Sequence, residues 1–344
     1  MKQIVMITTL ALLSVTSAHA EFRPGEVWLD TDGKPIQAHS AGLLSDHGTY
    51  YWYGEDKTLG NGNKRGIGCY SSTDLEHWKN EGLALPKEAM PPLFRDDGIV
   101  ERPKVIFNPR THRYVMWMHL DDAGYHLASA GIAIAEKPTG PFVFQKFIRP
   151  IHFDFEYKAK DPDRQKELGG TFRDMNLFVD DAGKAYVLYA SEGNATLYIV
   201  RLDDEFTGPA QPAVLGQTWT RAFIGKYREA PAPFKHNGRY YLITSGCTGW
   251  APNAANYAVA DHILGPWETK PNPCVGADAD KTFHAQSTFV LPVAGQPGCF
   301  IFMADRWFKD KLNDSRYIWL PLTMQPDGTF TLEWREHWDL SFFK

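Results

Sequence analysis

Apolar and polar residues alternate in short runs along most of the chain, the period-two pattern of half-buried β-strands, and the runs recur in pairs. Five segments share one form: a short strand with polar residues at its start, a tight turn, then an aromatic-rich strand. They begin at Ala38-His39-Ser40, Val100-Glu101-Arg102-Pro103, Arg173-Asp174-Met175-Asn176, Arg228-Glu229-Ala230-Pro231 and Ala285-Gln286-Ser287-Thr288. Their second strands are anchored by Tyr50, Tyr114, Tyr186, Tyr240 and Phe300, spaced 54 to 72 residues apart. Turn residues stand between the strands of each pair, among them Asp46-His47-Gly48, Asp181-Ala182-Gly183 and His236-Asn237-Gly238. A third strand follows, for example Ala130 to Ala135 and Tyr257 to Ala260, often leading to a Gly-Pro-aromatic turn. No long amphipathic helix interrupts the pattern.

A repeat of this length, with room for four strands, predicts an all-β chain folded as a single five-bladed β-propeller. A β-sandwich is the competing reading, but its strands recur every 8–12 residues or so without the longer period. Closure is expected to join the N-terminal segment, Val27 to Ile36, to a last blade that includes Thr329 to Trp334.

In a propeller the innermost strand of each blade lines the axis. Alignment of the repeats puts His39, Glu101, Asp174, Glu229 and Gln286 at equivalent positions near the start of that strand. Three carboxylates thus converge from distant parts of the chain. Crowding and desolvation raise carboxylate pKa values, and a carboxyl group protonated at neutral pH is what glycosidic bond cleavage requires. The bland alternative is a set of structural ion pairs, because Arg102, Arg173 and Arg228 each adjoin one of these acids. Glu55, at the end of the first blade's second strand, faces the same side. Trp250 and Asn253 lie in the loop after the fourth blade's second strand; Asp305, Arg306 and Trp307 end that of the fifth, and Tyr125 follows that of the second. Exposed aromatic rings suit a sugar face as well as they suit rim packing.

Composition narrows the class. The 344 residues are 14% aromatic and 22% charged, with a net charge of −5, so neither disorder nor an electrostatic footprint for nucleic acid is expected. Residues 1–20 combine Lys2, an apolar run from Ile4 to Val15 and a small-residue site ending at Ala20, the pattern of a signal peptide. The mature chain is then 21–344, one domain, secreted or periplasmic, and without a membrane segment once the signal is cleaved. Four cysteines (Cys69, Cys247, Cys274, Cys299) permit disulfides without selecting a pairing, and buried thiols are equally compatible. No catalytic metal and no cofactor are expected. His39 and His284 offer ring nitrogens where a hard cation takes several oxygen ligands, and a structural calcium ion stays open.

The run Ala38-His39-Ser40-Ala41-Gly42 through Tyr50-Tyr51-Trp52-Tyr53-Gly54-Glu55, together with the four later strand starts, resembles family 43 glycoside hydrolases, most closely their exo-β-1,3-galactanase branch. The resemblance covers essentially the whole mature chain. It implies a five-bladed propeller that releases galactose, with inversion, from β-1,3-galactan, the backbone of arabinogalactan. By position it implies Glu229 as general acid and Asp174 as the carboxylate that raises and orients it. The usual first-blade Asp base is missing, since that position falls in Gln37-Ala38-His39-Ser40. In the galactanase branch its place is implied to be taken by Gln286, holding the attacking water. An amide accepts protons poorly, so Glu101 stays as the alternative acceptor. Three readings remain open at this stage: a galactanase, a family member acting on another sugar (α-L-arabinofuranosidase, β-xylosidase, β-galactofuranosidase), and a carbohydrate-binding propeller without catalysis. The expected partner is a plant-type galactan or arabinogalactan, bound by a monomer.

Overall fold

The structure, a computed structural model, describes residues 21–61, 65–152 and 170–344; the expected signal peptide lies outside the described residues. Four antiparallel sheets of four strands and one of three are arranged as five blades, with inner strands His39–Asp46, Ile99–Asn108, Arg173–Val179, Arg228–His236 and Gln286–Pro292. Each blade runs outward in chain order from its inner strand. His47-Gly48 and Asn237-Gly238 take positive φ at both turn positions, the two-residue mirror-image turn whose twist matches that of the flanking strands.

Five apolar clusters separate the blades, one at each interface. Between blades two and three, Trp117 packs with Phe172, Tyr189 and Tyr198. The seal between blades five and one is built on tryptophan: Trp52, Trp78, Trp319 and Trp338 pack with Phe22. Trp52 and Trp319 lie 4.8 Å apart by ring centroid, and Phe22 stacks on Trp338 at 4.3 Å. Such pairs add about 0.5–1.5 kcal/mol each beyond their buried area.

Closure differs from the sequence expectation in one of its two segments. The N-terminal strap does reach blade five, because Gly25 N–H donates to the Tyr317 carbonyl at 2.9 Å and Phe22 bridges to Trp338. Val27 to Ile36 joins blade five as expected, with Trp28 on Trp319 at 5.0 Å and the Tyr317 hydroxyl donating to the Ile36 carbonyl at 2.9 Å, and also folds on itself through the Leu29–Pro35 bridge. The strand within Thr329 to Trp334 is Leu332–Glu333, and it pairs in parallel with Cys274–Val275. Phe330 and Leu332 sit in the core between blades four and five, so their apolar side chains seal that interface instead of forming an outer strand.

A bulge near the start of every inner strand corrects the repeat alignment. The register slips between His39 and Gly42, between Glu101 and Lys104, and between Glu229 and Ala232. In blade three the pairing Arg173↔Ala190 is followed by Asn176↔Leu188, so Arg173, and not Asp174, is the counterpart of His39, Glu101 and Glu229. Asp174 (φ 42°) occupies the next position, where Ser40, Arg102 and Ala230 also take positive φ. A bulge re-aims its side chains, and here it turns Asp174 toward the guanidinium of Arg102.

Candidate active site

The strand starts open into a cavity of about 520 Å³ whose wall includes Glu55, Glu101, Asp174, Glu229, Gln286 and Trp307. Its volume falls within the range of about 300–1,000 Å³ common for small-molecule sites.

Glu229 is 9% exposed. Burial, reinforced by the negative charge of Asp174, pushes its carboxyl from 4.5 up to about 8. It is therefore protonated at neutral pH, the state of a proton donor. Gln286 Nε2 donates to its Oε1 at 3.0 Å and Asn194 Nδ2 to its Oε2 at 3.3 Å. Arg102 holds the neighbouring acid: its Nε lies 3.1 Å from Asp174 Oδ1, and its Nη1 donates to the Ser287 carbonyl at 3.0 Å. Arg102 also donates to Gln286 Oε1. Gln286 is thus fully engaged. Its second amide proton goes to Ser245 Oγ at 3.1 Å, and its carbonyl also accepts from Trp307 Nε1 at 3.4 Å.

Glu101 behaves in the opposite way. Burial alone would raise its carboxyl, but the hydrogen bond and charge of His119 and the charge of Lys57 outweigh it and lower the group to about 2. His119 Nδ1 lies 3.1 Å from Glu101 Oε2, and its Nε2 lies 3.2 Å from Asp121 Oδ2. Burial disfavours the imidazolium, but these two carboxylates overcome that and lift His119 to about 9. Tyr125 Oη donates to Glu101 Oε1 at 2.7 Å. The cavity thereby joins a protonated carboxyl and an ionised one, pushed apart by their surroundings, which is the arrangement that assigns acid and base roles.

The remaining residues expected at the site divide into two groups. Glu55 forms part of the wall and is held 2.6 Å from Lys57 Nζ. Trp250, half exposed at 50%, meets Trp307 edge to face at 6.2 Å. Asn253 and Arg306 line an adjoining cavity of about 290 Å³ that shares Trp250 and Trp307. There Asn253 braces its own loop through Gly246, and Arg306 is tied to the Phe283 carbonyl at 2.8 Å.

His39 and Asp305 are not on the wall. His39 is fully buried, stacked on Tyr317 at 5.1 Å. Burial and the charge of Lys57 hold it down at about 3, so it is neutral. Asp305 is buried, accepts from the Ser40 N–H, and is pushed by burial to about 7. Both residues pair directly with wall residues, His39 with Glu55 and Asp305 with Gln286, but are buried behind them.

Sequence reasoning missed Arg102, His119, Asp121, Lys57 and Asn194 as site residues. Two signals for them were present: the alternation Met118-His119-Leu120-Asp121 puts two titratable groups on one face of an otherwise apolar strand, and Lys57 follows Glu55 by two positions. The adjacent Arg–acid pairs seen in the sequence are not the operative ones. Arg102 serves Asp174, Arg173 reaches Asp121 at 3.4 Å, and Arg228 binds Thr244 Oγ1 at 3.0 Å. Among the described residues no group of three His, Cys, Asp or Glu is placed to hold a metal ion, and all four cysteines are free thiols.

Comparison with known proteins gives this geometry a family. The profile of glycosyl hydrolases family 43 matches residues 35–288. A solved family 43 β-1,3-galactosidase, described with galactodeoxynojirimycin, is 40% identical, with 93% of this chain and 100% of that chain covered and a TM-score of 0.82. An exo-β-1,3-galactanase from Phanerochaete chrysosporium, solved with galactose, is 34% identical over 93% of this chain and 68% of that one, at a TM-score of 0.80. A second family 43 β-1,3-galactosidase is 34% identical over 94% of this chain (TM-score 0.82), and the chain spans 64% of its length. No match is found among curated protein sequences. With the family profile matched over most of the chain and the propeller shared with solved β-1,3-galactosidases, the chain belongs to glycosyl hydrolases family 43 and is a glycoside hydrolase.

Proposed function

We propose that the protein is an exported, inverting, exo-acting hydrolase that releases galactose from β-1,3-galactan, with Glu229 as general acid. The observation that carries this reading is the paired electrostatic state of the cavity: Glu229 held at about 8 beside Asp174, and Glu101 held at about 2 beside His119. Inversion needs one carboxyl group that gives a proton to the leaving oxygen and another group that takes one from water. The β-1,3-galactosidases and exo-β-1,3-galactanase among the similar structures support galactan as substrate. Trp250 and Trp307 offer apolar faces beside the acid for the sugar that leaves.

For the proton acceptor we favour Glu101. Every polar atom of the Gln286 amide already has a protein partner, so Gln286 serves to hold Glu229 in place. Glu101 keeps one lone pair free on each oxygen and is ionised. Asp174, fixed by Arg102, sustains the raised pKa of Glu229, and Tyr125 orients Glu101.

The test is Glu229→Gln assayed on two substrates. On β-1,3-galactobiose the variant loses at least about a hundredfold in kcat/KM, the scale of a missing general acid. On 2,4-dinitrophenyl β-galactoside, whose leaving group needs no proton, the loss is far smaller. Equal losses on both substrates contradict an acid role. For Glu101→Ala, rescue by azide with formation of α-galactosyl azide identifies the acceptor, and absence of rescue assigns the role elsewhere. N-terminal sequencing of the exported protein is expected to begin at Glu21.

A further inference from the structure

Asn194 reaches Glu229 from the neighbouring blade. It sits in the tight turn Glu192-Gly193-Asn194-Ala195, which joins the second and third strands of blade three, Ala185–Ser191 and Thr196–Arg201. Three successive residues of that turn are left-handed: Glu192 at φ 53°, Gly193 at 60° and Asn194 at 67°. Glycine takes that conformation freely and asparagine tolerates it, whereas in a glutamate the Cβ crowds the following carbonyl. Backbone strain of this kind persists only where the surroundings over-determine it, and such places cluster at functional sites.

The turn is held by the Glu192 carboxylate, which is 1% exposed. Arg221, on the outer strand Trp219–Ala222, grips both of its oxygens, Nε to Oε1 at 2.6 Å and Nη2 to Oε2 at 2.8 Å. Tyr198 Oη donates to Oε1 and Thr196 Oγ1 to Oε2, each at 2.8 Å. Four hydrogen bonds fill the accepting capacity of a carboxylate, so Glu192 anchors the turn and binds no substrate. The turn is also docked on blade four: Tyr227 N–H donates to the Ala195 carbonyl at 3.2 Å, and Cys247 Sγ to the Asn194 carbonyl at 3.8 Å. The product of this bracing lies at the acid. Asn194 Nδ2 and Gln286 Nε2 donate to different oxygens of Glu229, at 3.3 and 3.0 Å, and hold its carboxyl from two sides.

We propose that Glu192 and Arg221 are positioning residues of the reaction, clamping the left-handed turn that sets the Asn194 amide against Glu229. The inference rests on the reading of Glu229 as general acid. An N–H aimed at a carboxylate favours its ionised form, so the Asn194 bond strengthens as Glu229 gives up its proton.

The experiment is a double-mutant cycle in the full-length protein, Glu192→Gln and Asn194→Gly, read as the pH profile of kcat/KM on β-1,3-galactobiose. Glycine at position 194 keeps the left-handed backbone and removes only the amide. Each single variant is expected to move the alkaline limb upward by about 0.5–1 pH unit, the scale of one hydrogen bond lost from the charged form. Each also lowers kcat/KM at pH 6 by about tenfold through misplacement of the acid. In the Asn194→Gly background, Glu192→Gln then adds less than about twofold, because its effect passes through the missing amide. An alkaline limb that stays put in Glu192→Gln, or losses that multiply in the double variant, overturn the proposal and leave the clamp a purely structural one. If Glu192→Gln does not fold, Tyr198→Phe, which deletes one of the bonds to Glu192, is read by the same two criteria. Equal losses of Glu229→Gln on galactobiose and on the dinitrophenyl galactoside overturn the acid reading itself, and this inference falls with it.

Discussion

Replacing Asp174 by Asn tests the electrostatic account at its most sensitive point. The rise of Glu229 from 4.5 to about 8 corresponds to about 5 kcal/mol in favour of its protonated form, at about 1.36 kcal/mol per pH unit. Burial is the larger cause and the Asp174 charge the next. The substitution removes that charge and leaves the Arg102 cation unbalanced, and both effects lower Glu229. A neighbouring charge is worth roughly 1–3 pH units, so the alkaline limb of kcat/KM moves from about pH 8 to about 7 or below. At pH 7.5 ionisation alone then costs about threefold or more; at pH 5, where the acid stays protonated in both proteins, it costs almost nothing. The assay is kcat/KM on β-1,3-galactobiose from pH 4.5 to 9.5. A uniform fall in rate with an unmoved alkaline limb would refute the reasoning and reduce Asp174 to a packing role.

Other outcomes follow from the same forces. Glu229 is protonated at the expense of folding stability: its folded pKa lies above the unfolded one, so stability falls as pH rises from 4.5 through about 8. Glu229→Gln is therefore expected to be more stable than wild type by up to about 3 kcal/mol at pH 7, read by urea denaturation, with the gap vanishing near pH 4. His119→Gln strips the cation from between Glu101 and Asp121 and costs about 3–5 kcal/mol. Because the folded His119 sits at about 9, its contribution is fully present below pH 6.5 and fades as pH rises through 9, so the wild-type advantage shrinks there; the same variant moves the acid limb of the rate profile upward. Gly54→Ala should lower the melting temperature and activity together, since a Cβ there would lie 2.1 Å from the Ala38 backbone and push apart the two strands that carry His39 and Glu55.

Much of this architecture is written in the chain. The aromatic second strands and their turns announce five blades because a blade must bury one apolar face against each neighbour, and the interface clusters around Trp52, Trp117 and Phe234 show that burial. The convergence of Glu101, Glu229 and Gln286 follows from repeat position alone. What the repeat could not convey is backbone conformation. Asp174 stands one position after the counterparts of Glu101 and Glu229, because the register makes Arg173 their equivalent; it shares the positive-φ position of the bulge with Arg102 and Ala230. Thr329 to Trp334 alternates like an outer strand of the last blade, but its apolar residues are taken up by the interface between blades four and five. The Arg102 clamp joins side chains from blades two, three and five, so no local pattern reveals its partners; the His119 relay lies within blade two, where Glu101 pairs with His119 across the hairpin.

The central claim, an inverting exo-hydrolase of β-1,3-galactan, is tested most directly by following the first products by proton NMR. The account predicts galactose alone, released one unit at a time and appearing first as the α-anomer before mutarotation. A ladder of internal fragments, or galactose born as the β-anomer, would contradict it.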